Sequence, residues 1–210
     1  MVDLKEKFEY FFEKGDDKPT LSAGVVIRYF KYPLYEAFDE SNYHLFERSK
    51  KVPKKAGKRG KNSVSVSLQK HSGKSVEFII DEFNQSDVTA KLIELMKLHE
   101  KGEALQSIKD KIWEFKTLFI HARTGGKDSL KNVFNNTFDD DIHKNYEDIL
   151  NKIHELYEIL EPTELLVEQK VNEHNEKTAE ENRSELRLKM LDQLIRFSKF
   201  WGEEGEENDD

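Results

Sequence analysis

The hydrophobic period of this chain changes near residue 83, and that change limits the folds open to it. Before it, Val64, Val66 and Leu68 alternate with Ser63, Ser65 and Ser67, and Val76, Phe78 and Ile80 repeat the alternation after His71-Ser72-Gly73-Lys74. Period two places apolar side chains on one face of a strand, so two such runs around a glycine turn predict a hairpin. After it, Leu105, Ile108, Ile112, Phe115 and Phe119 follow a three-and-four seam, as do Ile142, Tyr146, Ile149, Ile153, Leu156 and Leu160. Val88, Leu92, Leu95 and Met96 share a face, and Leu186, Met190, Leu194, Phe197 and Trp201 form a last seam. Such seams want antiparallel helical neighbours, so roughly five helices in a bundle are expected.

Upstream of the hairpin, Leu4, Phe8, Phe11 and Phe12 predict a helix over residues 2–14, with Gly15 at its C-terminal cap. Leu21 to Ile27 reads as a strand buried on both faces. Pro33 opens a helix to about Lys50, with Leu34, Ala37, Phe38, Leu45 and Phe46 expected on its inner side. The fold class is therefore α+β: helix, strand, helix and hairpin over 1–82, an all-α bundle over 83–202, and an acidic, disordered tail over 203–210.

Candidate chemistry is sparse. Asp16 and Asp17 follow a helix end and precede Lys18-Pro19, where paired aspartates form turns; a two-metal site needs its carboxylates on a strand-turn-strand hairpin. Gly125-Gly126-Lys127-Asp128-Ser129 lacks the earlier glycine and preceding strand of a phosphate loop, so a helix cap is expected. His143 and His154 are separated by about 16 Å along one helix, too far to share a metal. Asp139, Asp140 and Asp141 suit the first turn of a helix without a cation. Histidine 71 reads as a turn residue.

Charge is distributed unevenly around a net of -8. Arg48, Lys50, Lys51, Lys54, Lys55, Lys58, Arg59 and Lys61 form an acid-free run, which either attracts phosphates or is a solvated loop. The chain has no cysteine, which excludes disulfides and thiolate metal sites. No apolar run approaches the ~20 residues of a membrane span, and Val2 to Lys14 is too charged for a signal peptide, so a cytoplasmic protein without membrane association is expected.

The stretches "PTLSAGVVIRYFKYPLYEAFDESNYHLFERSKK" and "GKNSVSVSLQKHSGKSVEF" resemble the second palm domain of the large, polymerase-like subunit of type III CRISPR-Cas effector complexes, in its Cmr-type form. The resemblance covers residues 20–80 and rests on a strand ending in Ser-Ala-Gly, a Tyr-Pro-Leu helix start, a helix ending in lysines, Lys-Asn, and a Ser-Gly turn. Diguanylate cyclase domains share the outline more distantly. The resemblance implies a partial ferredoxin-like palm followed by a helical bundle. In that family the metal-holding Gly-Gly-Asp-Asp hairpin precedes a helix equivalent to residues 2–14, so it would lie upstream of Met1, in a partner polypeptide.

What the resemblance implies for function follows. The chain would be no catalyst by itself and would hold no metal. Assembled with the upstream half, it would join a palm that binds ATP with Mg or Mn held by that half, and that makes oligoadenylate-type messengers. Ser22 and Gly24 would let the nucleotide approach, and Lys58 or Lys61 would meet its triphosphate. Other expected partners are type III effector subunits, including the small helical ones, and guide and target RNA. Lys54, Lys55, Arg59, Arg123 and Lys127 are the candidate RNA contacts. A non-catalytic RNA-binding module and a protein adaptor are the other readings open at this point.

Overall fold

The computed structural model describes residues 7–8, 10, 19–53, 61–81, 87–98, 102–124, 126–138, 146–172 and 179–203. Most of the expected first helix, the Asp16-Asp17 turn, Lys54, Lys55, Lys58 and Arg59, the Asp139 to Asp141 run, His143 and the acidic tail lie outside these residues. The chain divides into two compact units. The first comprises Met1–Thr89 with Thr163–Glu168; the second comprises Ala90–Pro162 and Gln169–Asp210.

In the first unit, strand β1 (Ala23–Arg28) pairs in parallel with β2 (Ser63–Gln69), which pairs antiparallel with β3 (Ser75–Asp81). The β2–β3 hairpin is the one its alternation predicts. Gly73, at φ 80, occupies the left-handed region at the turn, which is closed by Lys70 N–H to the Lys74 carbonyl at 2.9 Å. Val64 faces Ile80, Val66 faces Phe78, and Leu68 faces Val76 across the pair. All six are buried, and each contributes roughly 1.5–3 kcal/mol by leaving water.

The strand expected to be buried on both faces is instead an edge of the sheet. Every residue of β1 is half-buried, and among the described residues no strand pairs with its outer side. Between β1 and β2 runs α1 (Leu34–Tyr43), continued by a π-helical turn (His44–Arg48) and a 3-10 turn (Ser49–Lys51). This matches the expected span from Pro33 to about Lys50.

Of its expected inner side, Ala37 and Leu45 do turn inward, but the larger apolar residues do not. Leu34, Phe38 and Phe46 are 84%, 65% and 51% exposed, while Ala37, Glu40, Ser41, His44, Leu45, Arg48 and Ser49 turn inward. The physical reason is the surface it packs on. The sheet presents Ser63, Ser65 and Ser67 to it, all fully buried, and buried hydroxyls need polar partners.

The second unit is helical throughout its described residues, with α2 (Asp87–Met96) beginning in the first unit and ending in the second. Then come α3 (Gly102–Glu114), α4 (Lys116–Thr124), α5 (Lys127–Thr137), α6 (Glu147–Ile159), α7 (Glu164–Asn172), which also begins in the first unit, and α8 (Ala179–Glu203). The expected seam from Leu105 to Phe119 is broken: α3 ends at Glu114, Phe115 is 41% exposed, and Phe119 is buried from the next helix. Phe119 then meets Phe134 edge-on at 5.0 Å, and Phe134 lies 5.9 Å from Phe138, an aromatic cluster that ties α4 to α5. Gly126, at φ 94, caps α5, as the Gly-Gly-Lys-Asp stretch predicts. Ile149, Ile153, Leu156 and Leu160 are wholly buried, as their spacing requires. No helix among the described residues is long and apolar enough to cross a membrane.

Candidate functional site

Serine 22 and Lys61, both singled out in the sequence, are brought together from 39 residues apart: the Ser22 hydroxyl donates to the Lys61 carbonyl. Parallel pairing of β1 with β2 is what does this, because it sets Ala23 opposite Val64 and so places the two strand entrances side by side. The Lys61 carbonyl also accepts the Ser63 N–H at 2.6 Å, and the Lys61 N–H donates to the Val52 carbonyl at 3.0 Å. Lys61 holds φ 72, a left-handed conformation uncommon for a residue with a side chain. The residue is exposed, and its ammonium makes no ion pair among the described residues. Beside it, Asn62 is 5% exposed and its Oδ1 has no hydrogen-bond partner.

Two more serines fix this entrance. Ser49 donates to the Ala23 carbonyl at 2.7 Å, and Ser63 donates to the Ser49 carbonyl at 2.8 Å. The exposed Lys61 ammonium, which meets no carboxylate among the described residues, fits an anionic ligand such as a nucleotide phosphate, whereas the Asn62 Oδ1 is an acceptor and has room for a donor. Nothing among the described residues at this entrance fits a divalent cation.

Gly24 plays a different part from the one its neighbours share. A Cβ on it would lie 2.4 Å from the Ser41 carbonyl oxygen and 2.6 Å from the Leu45 nitrogen. The absent side chain thus makes room for α1, with Ser41 donating to the Gly24 carbonyl at 3.1 Å. Arg123 lies in α4 and Lys127 opens α5.

Behind the entrance lies a charge network that the sequence did not announce. Arg28 grips Glu40 through both arms of its guanidinium, with Nε at 3.0 Å from Oε2, and gives a further bond to Ser67 at 2.8 Å. Ser67 in turn donates to Glu40 at 2.8 Å, and His44 Nδ1 shares a 2.7 Å bond with the Ser65 hydroxyl. Arg48 pairs with Glu77 at 3.0 Å. Burial, then the positive charge of Arg48, lowers the pKa of His44 below its ordinary value, so the ring is neutral at pH 7.

The signal was present as a stripe: residues 40, 44 and 48 recur every four positions along one helical face, opposite serines that recur every two. Glu40, His44 and Glu77 bring their donor atoms within 4.8 Å of one another. The carboxylates already carry Arg28 and Arg48, so a cation there would have to displace two guanidinium groups. The trio is a charge-balanced joint between helix and sheet.

Of the remaining basic run, Lys50 lies over the Phe46 ring at 4.2 Å and Lys51 pairs with Glu47.

A parallel strand pair connected by a helix and followed by a hairpin is the arrangement of a partial palm-type domain. Residues 1–65 match the family model described as "Cas10/Cmr2, second palm domain". The CRISPR system Cmr subunit Cmr2 of Pyrococcus furiosus is 31% identical over 106 residues, covering 47% of this chain, more than the palm match alone spans. The chain spans 11% of that relative's length.

Proposed function

We infer that this chain supplies the later part of a second palm to an RNA-guided type III CRISPR antiviral effector, and that the completed palm binds ATP for oligoadenylate-type messenger synthesis. The observation that supports this most is the junction of Ser22 with Lys61, which sets an unpaired ammonium at the strand entrances. On this reading Lys61, with Lys58 beside it in sequence, meets the triphosphate and Ser22 holds the entrance closed. Gly24 acts through α1, by letting the helix seat against the strand. Divalent ions would be held by carboxylates of an upstream half, and they supply charge neutralisation during phosphoryl transfer.

Two features support incompleteness of the first unit. Among the described residues no strand covers the outer edge of β1, which an additional strand would satisfy. Phe30, Leu34, Tyr35 and Phe38, between 65% and 84% exposed, form an apolar run of the size that marks interaction surfaces. The upstream half of the large subunit would take the edge, and another effector subunit the aromatic face. In the helical unit, Arg123 and Lys127 remain candidates for contact with guide or target RNA.

The test is ATP conversion by the assembled effector after target RNA is added. Replacing Lys61 by Ala should lower turnover by raising KM for ATP while leaving assembly intact. Unchanged kinetics in that variant would refute a role for Lys61 at the phosphates.

A second reading, RNA binding without catalysis, draws on the basic run. Lys50 over Phe46 places an exposed cation on an exposed ring, a combination that suits single strands. Log affinity for single-stranded RNA should then fall with log salt by about 0.7 per phosphate contact, and a flat dependence would sink it.

A further inference from the structure

The helical unit contains an open cavity of about 560 Å3 between the α3–α4 junction and α8. Trp113, Lys116, Ile120, Leu188 and Lys189 contribute to its lining. The indole of Trp113 is 48% exposed, although tryptophan normally buries most of its surface. Lys116 Nζ lies 5.5 Å from the indole centroid, Lys189 is exposed, and neither makes an ion pair among the described residues. Glu181 and Glu185 also border the cavity, and Lys170 neutralises Glu185 at 2.6 Å. The cavity thus combines an aromatic platform, an apolar patch from Ile120 and Leu188, polar Thr117 and His121, one further carboxylate in Glu181, and two cations that meet no carboxylate among the described residues.

We propose that this cavity is a nucleotide site: a base stacks on Trp113 while Lys116 and Lys189 take its phosphate. The chemistry fits because every base has a π-face that an indole accepts, and an unpaired ammonium is the complement of a phosphate. The volume is that of an ordinary small-molecule pocket, which run from about 300 to 1,000 Å3. The site does not rest on the palm reading, since every residue in it belongs to the helical unit. A free mononucleotide and one residue of a single-stranded RNA share the recognised chemistry.

The experiment is tryptophan fluorescence of the full chain in a Trp201→Phe background, titrated separately with AMP and with an eight-nucleotide single-stranded RNA. Affinities for both should be compared by isothermal titration calorimetry in Trp113→Leu, Trp113→Phe, Lys189→Glu and Lys189→Arg variants, since the Trp113 variants hold no tryptophan in that background, with circular dichroism confirming the fold. Quenching by AMP identifies a mononucleotide site and quenching by RNA alone identifies a strand site. In either case Lys189→Glu should weaken binding at least about tenfold and Lys189→Arg should restore most of it, while Trp113→Phe should bind better than Trp113→Leu. A control with Lys54, Lys55, Lys58 and Arg59 changed to Gln separates this site from the basic run. Absence of quenching by both ligands overturns the proposal. So does RNA affinity that ignores Trp113 and Lys189 and falls only in the basic-run variant.

Discussion

Gly24 and Ser41 are packed so closely that a Cβ on the glycine would stand 2.4 Å from the Ser41 carbonyl oxygen. Backbone on the far side cannot swing away as a flexible side chain would. Gly24→Ala should therefore destabilise the first unit by about 1–3 kcal/mol, and Gly24→Val by more, as overpacking does. Urea unfolding followed by hydrogen exchange of the β1 and β2 amides measures this. A Gly24→Ala chain as stable as the parent would show that α1 does not seat on β1 in this way.

His44 gives the first unit a pH dependence with a defined sign. Its pKa is lowered in the folded state by burial and then by Arg48, with Arg28 acting in the same direction and Glu77 against. Glu40 also faces the ring, its oxygen 3.9 Å from Nε2. Between the folded and unfolded pKa values the unfolded chain binds more protons, so stability is full above the ordinary value of 6.5 and falls as pH drops below it. Stability measured from pH 8 to 5 should show this slope, reduced in His44→Gln. An identical slope in the variant would assign it to other groups.

The outward face of α1 separates folding from assembly. Phe38 is 65% exposed and Tyr35 75%, so Phe38→Asp and Tyr35→Asp should change the stability of the isolated chain by no more than about 0.5 kcal/mol. The same changes should abolish binding to other effector subunits, as read by co-purification. Large destabilisation would mean that this face is covered within the chain.

Arg187 anchors the helical unit. It is 7% exposed, and it bonds both Glu161 oxygens at 2.9 Å and Glu180 at 3.1 Å. Burial opposes its charge, yet Glu161 and then Glu180 more than compensate and raise its pKa. Because both glutamates reach solvent, Arg187→Met should cost only about 1–2 kcal/mol, below the range for stranding a buried charge. The thermal midpoint of the Arg187→Met chain measures it, and a loss above about 4 kcal/mol would mean that the carboxylates are shielded from water.

The parts legible in the sequence were those in which one element carries its own signal. The alternation of Val64, Val66 and Leu68 and the turn at Gly73 define β2 and β3 without reference to anything else. The orientation of α1 was not legible, because hydrophobic periodicity assumes that the apolar side faces inward. Here the surface beneath the helix is a row of serines, so Glu40 and His44 are drawn in while Leu34 and Phe38 are left out. Phe115 misled in a related way: it continues the period of α3 but sits at a break between helices, where period carries no information. Ser22 was named through the resemblance and Lys61 through both the basic run and the resemblance, and their meeting depends on a parallel pairing that no local pattern encodes.

The measurement that bears most directly on the central claim is isolation of the tagged full chain from its native host, with mass spectrometry and RNA sequencing of what co-elutes. The account predicts a polypeptide carrying the upstream palm half in equal amount, together with other effector subunits and a guide RNA. A monomeric chain, free of RNA and of any palm-bearing partner, would contradict it.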